Sequence, residues 1–156
     1  MKSDTSMIIY IVCGSSLQLK RISNYKLEKG SSLTFLDFNE EDLTEKILSL
    51  KNSFFCLVPA GFFPNKNARD NMTKLANRNE KVWGQFTLNL QIKDFVFKRR
   101  LAQNKAIFFH KDIFFSVGGH GKNGSNLFNE LEKRFSIRMD PYENTGNLIK
   151  KFKNNL

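Results

Sequence analysis

The sequence predicts an α/β domain: a layered sheet, mostly parallel with an antiparallel part, carrying helices on both faces. Three observations lead there. Residues 7–12, 33–37 and 54–58 are apolar runs rich in β-branched and aromatic side chains, the composition of strands buried on both faces. Helical spacing of apolar residues fills the stretches between and after them, and strands alternating with helices imply a parallel sheet. Beyond Glu80 the apolar period falls to two, which marks a strand in a different setting.

The first strand, Met7 to Val12, runs into Gly14, Ser15 and Ser16 and is expected at the centre of the sheet. Residues 17–28 are long enough for a crossover helix, and 33–37 supply the second strand of a βαβ unit. Asn39 reads as a helix N-cap. Glu40, Glu41 and Asp42 follow in the first turn, where carboxylates complement the positive helix end, and Leu43, Ile47 and Leu50 form the apolar stripe. The strand at 54–58 stops at Pro59 and Gly61, and residues 67–78 place Met72, Leu75 and Ala76 on one helical face. Residues 82–92 alternate Val82, Gly84 and Phe86 against Trp83, Gln85 and Thr87, predicting an antiparallel strand with one wetter face. A strand at 106–109, a short helix at 111–117 ended by Gly118 and Gly119, and a mobile loop at 120–125 come next. Leu127, Leu131 and Phe135 mark a helix over 126–135, followed by a short edge strand at 136–139. Leu148, Ile149 and Phe152 form a stripe on a C-terminal helix bearing Lys150, Lys151 and Lys153. No repeat or linker divides the chain, so one domain over 1–156 is expected.

Composition narrows the function classes. A chain of this length buries roughly two-thirds of its unfolded surface, and 16 Phe within a hydrophobic content of 40% suffice for a core without metal or disulfide. No apolar run approaches the ~20 residues that cross a bilayer. No basic start, apolar stretch and small-residue cleavage site follow Met1, so a cytoplasmic protein is expected. Cys13 and Cys56 sit in apolar strands and read as buried reduced thiols, while His110 and His120 lack companions at metal-ligand spacing. The net charge of +10 favours polyanionic partners: nucleic acid, anionic lipid or sugar nucleotide. Nucleic acid ranks last, because the Phe residues lie in core-like runs and not interleaved with basic ones. The C-terminal stripe beside its lysines fits peripheral contact with an anionic membrane.

The sequence Trp83-Gly84-Gln85-Phe86, and the strand, short helix and Gly118-Gly119 of residues 105–119, resemble the acceptor-side half of family 2 glycosyltransferases of the GT-A fold. The similarity covers 53–135, about half the chain, with a weaker match at the first strand. It implies a Rossmann-like sheet and sugar transfer from a nucleotide-sugar donor to a glycan or lipid-linked acceptor. The departures are chemical. Val58 and Ala60 stand where the family's Asp-x-Asp holds Mg²⁺ or Mn²⁺ against the diphosphate, and Leu127 and Phe128 stand where its Glu-Asp pair begins a helix. Between Asp37 and Val58 there is room for one helix, where the family has a further strand and helix, so the donor half is abbreviated.

What remains defines a candidate site. The resemblance places Asp37 on the nucleotide, and Lys98, Arg99 and Arg100 are the cations available to neutralise diphosphate in place of a metal. Glu130 is the candidate general base, with Glu132 also one turn along from the family's acids. Trp83 offers a face to a sugar ring, and Gly118, Gly119 and His120 offer a corner for substrate. Each has a plainer reading: a solvated turn for the basic cluster, an exposed helix acid for Glu130, a packed strand residue for Trp83 and a helix C-cap for the glycines. Residues 121–124 lack the spacing of a phosphate-binding P-loop. A non-catalytic GT-A derivative that binds a partner or glycan is the alternative function.

Overall fold

The computed structural model describes residues 8–20, 31–87, 105–121, 126–143 and 148–150. Five strands form the main sheet: β1 (Ile8–Gly14), β2 (Ser31–Asp37), β3 (Phe54–Pro59), β5 (Trp83–Thr87) and β6 (Lys105–His110), in the order β2-β1-β3-β6-β5. β1 pairs in parallel with β2 and β3, while β6 runs antiparallel to both β3 and β5. Four strands therefore share one direction and β6 alone opposes it. A second, two-stranded sheet joins β4 (Phe62–Pro64) to β7 (Leu148–Lys150).

The expected layers are present. On one face Ile9, Ile11, Phe55, Leu57 and Phe109 pack against α2 (Leu43–Leu48), α4 (Lys111–Ser116) and α5 (Leu127–Arg138). On the other, Tyr10, Val12, Cys56, Val58 and Phe108 pack against α3 (Lys66–Asn77), with Phe62, Phe63 and Leu148 of the small sheet closing this core. Every residue of β1 is buried, as its unbroken apolar run requires, and so are Cys13 and Cys56, whose thiols are both free. Burial raises the pKa of both thiols well above the ordinary cysteine value, which keeps them protonated and inert.

Several expectations are corrected. β3, not β1, is the middle strand, because β6 and β5 extend the sheet beyond it. α2 is capped by Asp42, whose carboxylate accepts from the Glu45 N–H at 3.1 Å; Asn39 instead donates its N–H to Asp37 Oδ1 in the preceding turn. β5 has no wet face at its start, since Trp83 is buried under α5 while Gly84 and Phe86 face the opposite core. The pairing of β5 is antiparallel as expected, but with β6, which is the strand that runs against the other four. Residues 136–138 continue α5 and form no edge strand, with Phe135 completing its buried face. Leu148 to Lys150 are a strand and not part of an amphipathic helix, and Leu148 is buried in the second core. The crossover helix expected over 17–28 is described only at its start, as α1 (Ser16–Leu19); its remainder lies outside the described residues, as do 122–125 and the end of the expected C-terminal helix. Among the described residues no helix is long and apolar enough to cross a membrane.

Candidate functional site

The parallel strands end together. Gly14 pairs with Asp37 and Cys13 with both Leu36 and Pro59, so β1, β2 and β3 share a carboxyl edge, the edge at which open α/β sheets hold ligands. There, Asp37 is bound into its own turn: its backbone oxygen accepts from Glu40 and Glu41 N–H (3.0 and 2.8 Å), and its N–H donates to Glu41 Oε1 (2.8 Å). Beyond β3, Ala60 donates its N–H to Cys13 O at 2.9 Å, close enough to Gly14 that a Cβ there would lie 2.9 Å from that of Ala60.

The Gly-Gly corner reaches this edge by a defined route. α4 ends in a Schellman motif: Gly119 N–H donates to Phe114 O and Gly118 N–H to Phe115 O, each at 3.1 Å, with both glycines at positive φ (92° and 67°). The reversal delivers His120 to the first turn of α2. Thr44 grips it three ways, accepting its N–H on Oγ1 (2.7 Å) and donating to its carbonyl from Oγ1 (2.8 Å) and from N–H (2.9 Å). Contact is so close that a Cβ on Gly119 would fall 2.4 Å from Thr44 Oγ1.

His120 is buried, and both its ring nitrogens face oxygen: Nδ1 lies 2.9 Å from Gly121 O and Nε2 lies 3.0 Å from Glu130 Oε1. The ring therefore bridges the Gly121 carbonyl and the Glu130 carboxylate, and so fixes where Glu130 points. Glu130 sits in the first turn of α5 with its side chain 42% exposed, one oxygen held by His120. Arg134, one turn on, donates to Gly119 O at 2.5 Å and ties the same helix to the corner. Chain segments 76 residues apart are thus joined through residue 120.

An open cleft of about 450 Å³ flanks the start of α2, lined by Glu40, Glu41, Asp42, Glu45 and Lys46. Its acids favour cations and hydroxyl groups over diphosphate. The residues of the resemblance do not fit a catalytic divalent ion. Val58 is buried in the core, Ala60 carries no oxygen on its side chain, and Leu127 and Phe128 are packed into the first core where the family has Glu-Asp. Among the described residues no group of three or more His, Cys, Asp or Glu could hold a metal ion.

The predicted site residues therefore separate. Gly118, Gly119, His120 and Glu130 are brought together, and Asp37 shares the carboxyl edge with the start of α2 beside them. Trp83 is not with them. Its ring is 1% exposed, packed on Phe135 with centroids 5.4 Å apart, and its Nε1–H donates to Met139 O at 2.8 Å, so no face is offered to a sugar. Glu132 turns away to the other side of α5. Burial pushes its carboxyl up, but hydrogen bonds from Lys105 and Gln85 outweigh this and hold it below the ordinary carboxylate range. Lys98, Arg99 and Arg100 lie outside the described residues. Thr44 went unread in the sequence, since nothing in its own helix signals a partner so far along the chain. No protein-family model, curated protein or solved structure matches the chain.

Proposed function

We propose that the chain is a glycosyltransferase-like protein of the GT-A type that binds a nucleotide sugar at the carboxyl edge of its parallel strands without a metal ion, and whose transfer chemistry is slow or lost. The observation that carries this reading is the convergence of the Gly-Gly corner, His120 and Glu130 on the start of α2, beside the strand ends. A half-exposed carboxylate oriented by a buried imidazole has the form of a base that accepts a proton from an acceptor hydroxyl. The mixed sheet, with its parallel half leading into an antiparallel one at β3 and β6, is compatible with the implied fold.

Charge balance supports binding without a metal. Neither Val58 nor Ala60 supplies an oxygen ligand, so the neutralising role passes to basic side chains, of which the sequence offers Lys98, Arg99 and Arg100. Calorimetric titration with UDP-, GDP- and dTDP-sugars, with and without Mn²⁺, tests this. Binding to one donor with equal affinity in both conditions is expected; no binding to any donor, or binding only with Mn²⁺, contradicts it.

The acids lining the cleft favour the second reading, a non-catalytic derivative that holds a glycan or a partner and no nucleotide. Glycan binding in the absence of donor binding is its signature.

A further inference from the structure

The Gly-Gly corner is built around one hydroxyl. As the second residue of α2, Thr44 carries one of the N–H groups that a helix start leaves without an intrahelical acceptor. Asp42 serves Glu45 in that turn, and the acceptor for Thr44 comes from 76 residues away, the carbonyl of His120 at 2.9 Å. That backbone bond suffices for a cap. The side chain adds two more bonds to the same residue: Oγ1 accepts the His120 N–H at 2.7 Å and donates its own proton to the His120 carbonyl at 2.8 Å. A hydroxyl has one proton to give and lone pairs to receive, so it can hold both polar groups of a single residue's backbone.

The backbone on either side is fixed as well. Arg134 of α5 donates to Gly119 O, and Gly119 approaches Thr44 so closely that only a residue without Cβ fits there. The imidazole of His120 hangs from this clamped segment. Its Nδ1 meets Gly121 O and its Nε2 meets Glu130 Oε1, which carries the placement from α2 across to α5.

We propose that Thr44 is a positioning residue for Glu130: its hydroxyl fixes the backbone of His120, and the imidazole passes that placement on to the carboxylate. Thr44's role rests on the reading of Glu130 as the base that takes a proton from an acceptor hydroxyl. A general base works only within about 3 Å of that proton, and a misplacement of about 1 Å costs on the order of 10²-fold in rate. Glu130 is a long side chain in the first turn of its helix, and the bond with His120 restricts the torsions it can adopt.

Two substitutions separate positioning from capping. Thr44→Val keeps the shape and the backbone N–H bond to His120 O but removes both hydroxyl bonds, while Thr44→Ser keeps all three. NMR on the full chain reads the outcome as nuclear Overhauser contacts between the His120 ring protons and the Glu130 methylene protons. These contacts are expected in the wild type and in Thr44→Ser and are expected to be lost in Thr44→Val, whose contacts between β1 and β3 persist and show an intact sheet. Transfer from a bound donor, to an acceptor or to water, should slow by roughly 10²-fold in Thr44→Val and recover in Thr44→Ser. A His120–Glu130 contact unchanged in Thr44→Val, its loss in Thr44→Ser, or a transfer rate that ignores its loss overturns the proposal. Absence of donor binding in the wild type would remove the nucleotide-sugar reading alone, and the ring contacts decide in either case whether Thr44 places Glu130.

Discussion

Gly84 is packed more closely than Gly14, the other glycine in the described strands. A Cβ there would lie 2.3 and 2.6 Å from the Phe108 ring and 2.7 Å from the Tyr142 carbonyl, so the missing side chain is what lets the ring lie over β5 and the segment after α5 cross it. Tyr142 N–H donates to Trp83 O at 2.7 Å, and Trp83 reaches back to Met139 O, which fastens the same crossing from both sides. Glycine inside a strand ordinarily costs stability relative to alanine. Here the order reverses: Gly84→Ala is expected to destabilise by about 1–3 kcal/mol through overpacking, measured by urea denaturation. Unchanged or increased stability would show that the ring and strap move aside freely. Trp83 and Gly84 were legible in the sequence only as neighbours on a strand; their burial depends on Phe135 and Phe108, which come from other elements.

Elements were legible where one local signal sufficed. The apolar runs of β1 and β3, the stripe of α3 and the Gly-Gly stop of α4 each depend on nearby residues alone. Errors arose where two signals competed. Asn39 and Asp42 are both good caps, and the tie was broken by Asp37, whose carboxylate takes the Asn39 N–H and leaves Asp42 to start α2. Leu148 and Ile149 suit a helix stripe or a strand equally, and the open partner β4 decided it.

α4 carries its own pH response. His110 caps it, Nδ1 accepting the Asp112 N–H at 3.0 Å, which leaves the ring proton on Nε2 to donate to Asn79 Oδ1 at 2.8 Å. Burial holds the His110 pKa below the ordinary histidine value; Asp112 opposes this, and Lys81 and Lys111 add to it. Unfolded, the ring takes a proton near pH 6.5, while in the folded chain it does so only lower, so between the two the unfolded state holds more protons. This contribution is complete above about pH 6.5 and is lost as pH falls through the folded pKa. His110→Asn keeps a capping oxygen and removes the titration. Its stability should depend less steeply on pH over that window than the wild type's, and matching slopes in chemical denaturation would contradict the assignment.

At the scale of the whole molecule, the sheet sorts the candidate residues by which end of it they reach. β5 begins opposite Phe109, next to the start of β3, so Trp83 lies toward the amino ends of the parallel strands. α4 then climbs back, and the Schellman reversal hands His120 to Thr44 at the other edge. Sequence spacing showed which residues were candidates but not which end of the sheet each would occupy, because that depends on the reversed direction of β6. We propose that this carboxyl edge, without metal, is where a nucleotide sugar binds. Amide chemical-shift mapping during titration with UDP-, GDP- and dTDP-sugars in metal-free buffer tests it most directly. Shifts centred on Gly14, Asp37, Thr44, Gly119 and His120 are expected for one donor; shifts confined to α3 and the small sheet, or none with any donor, would contradict the proposal.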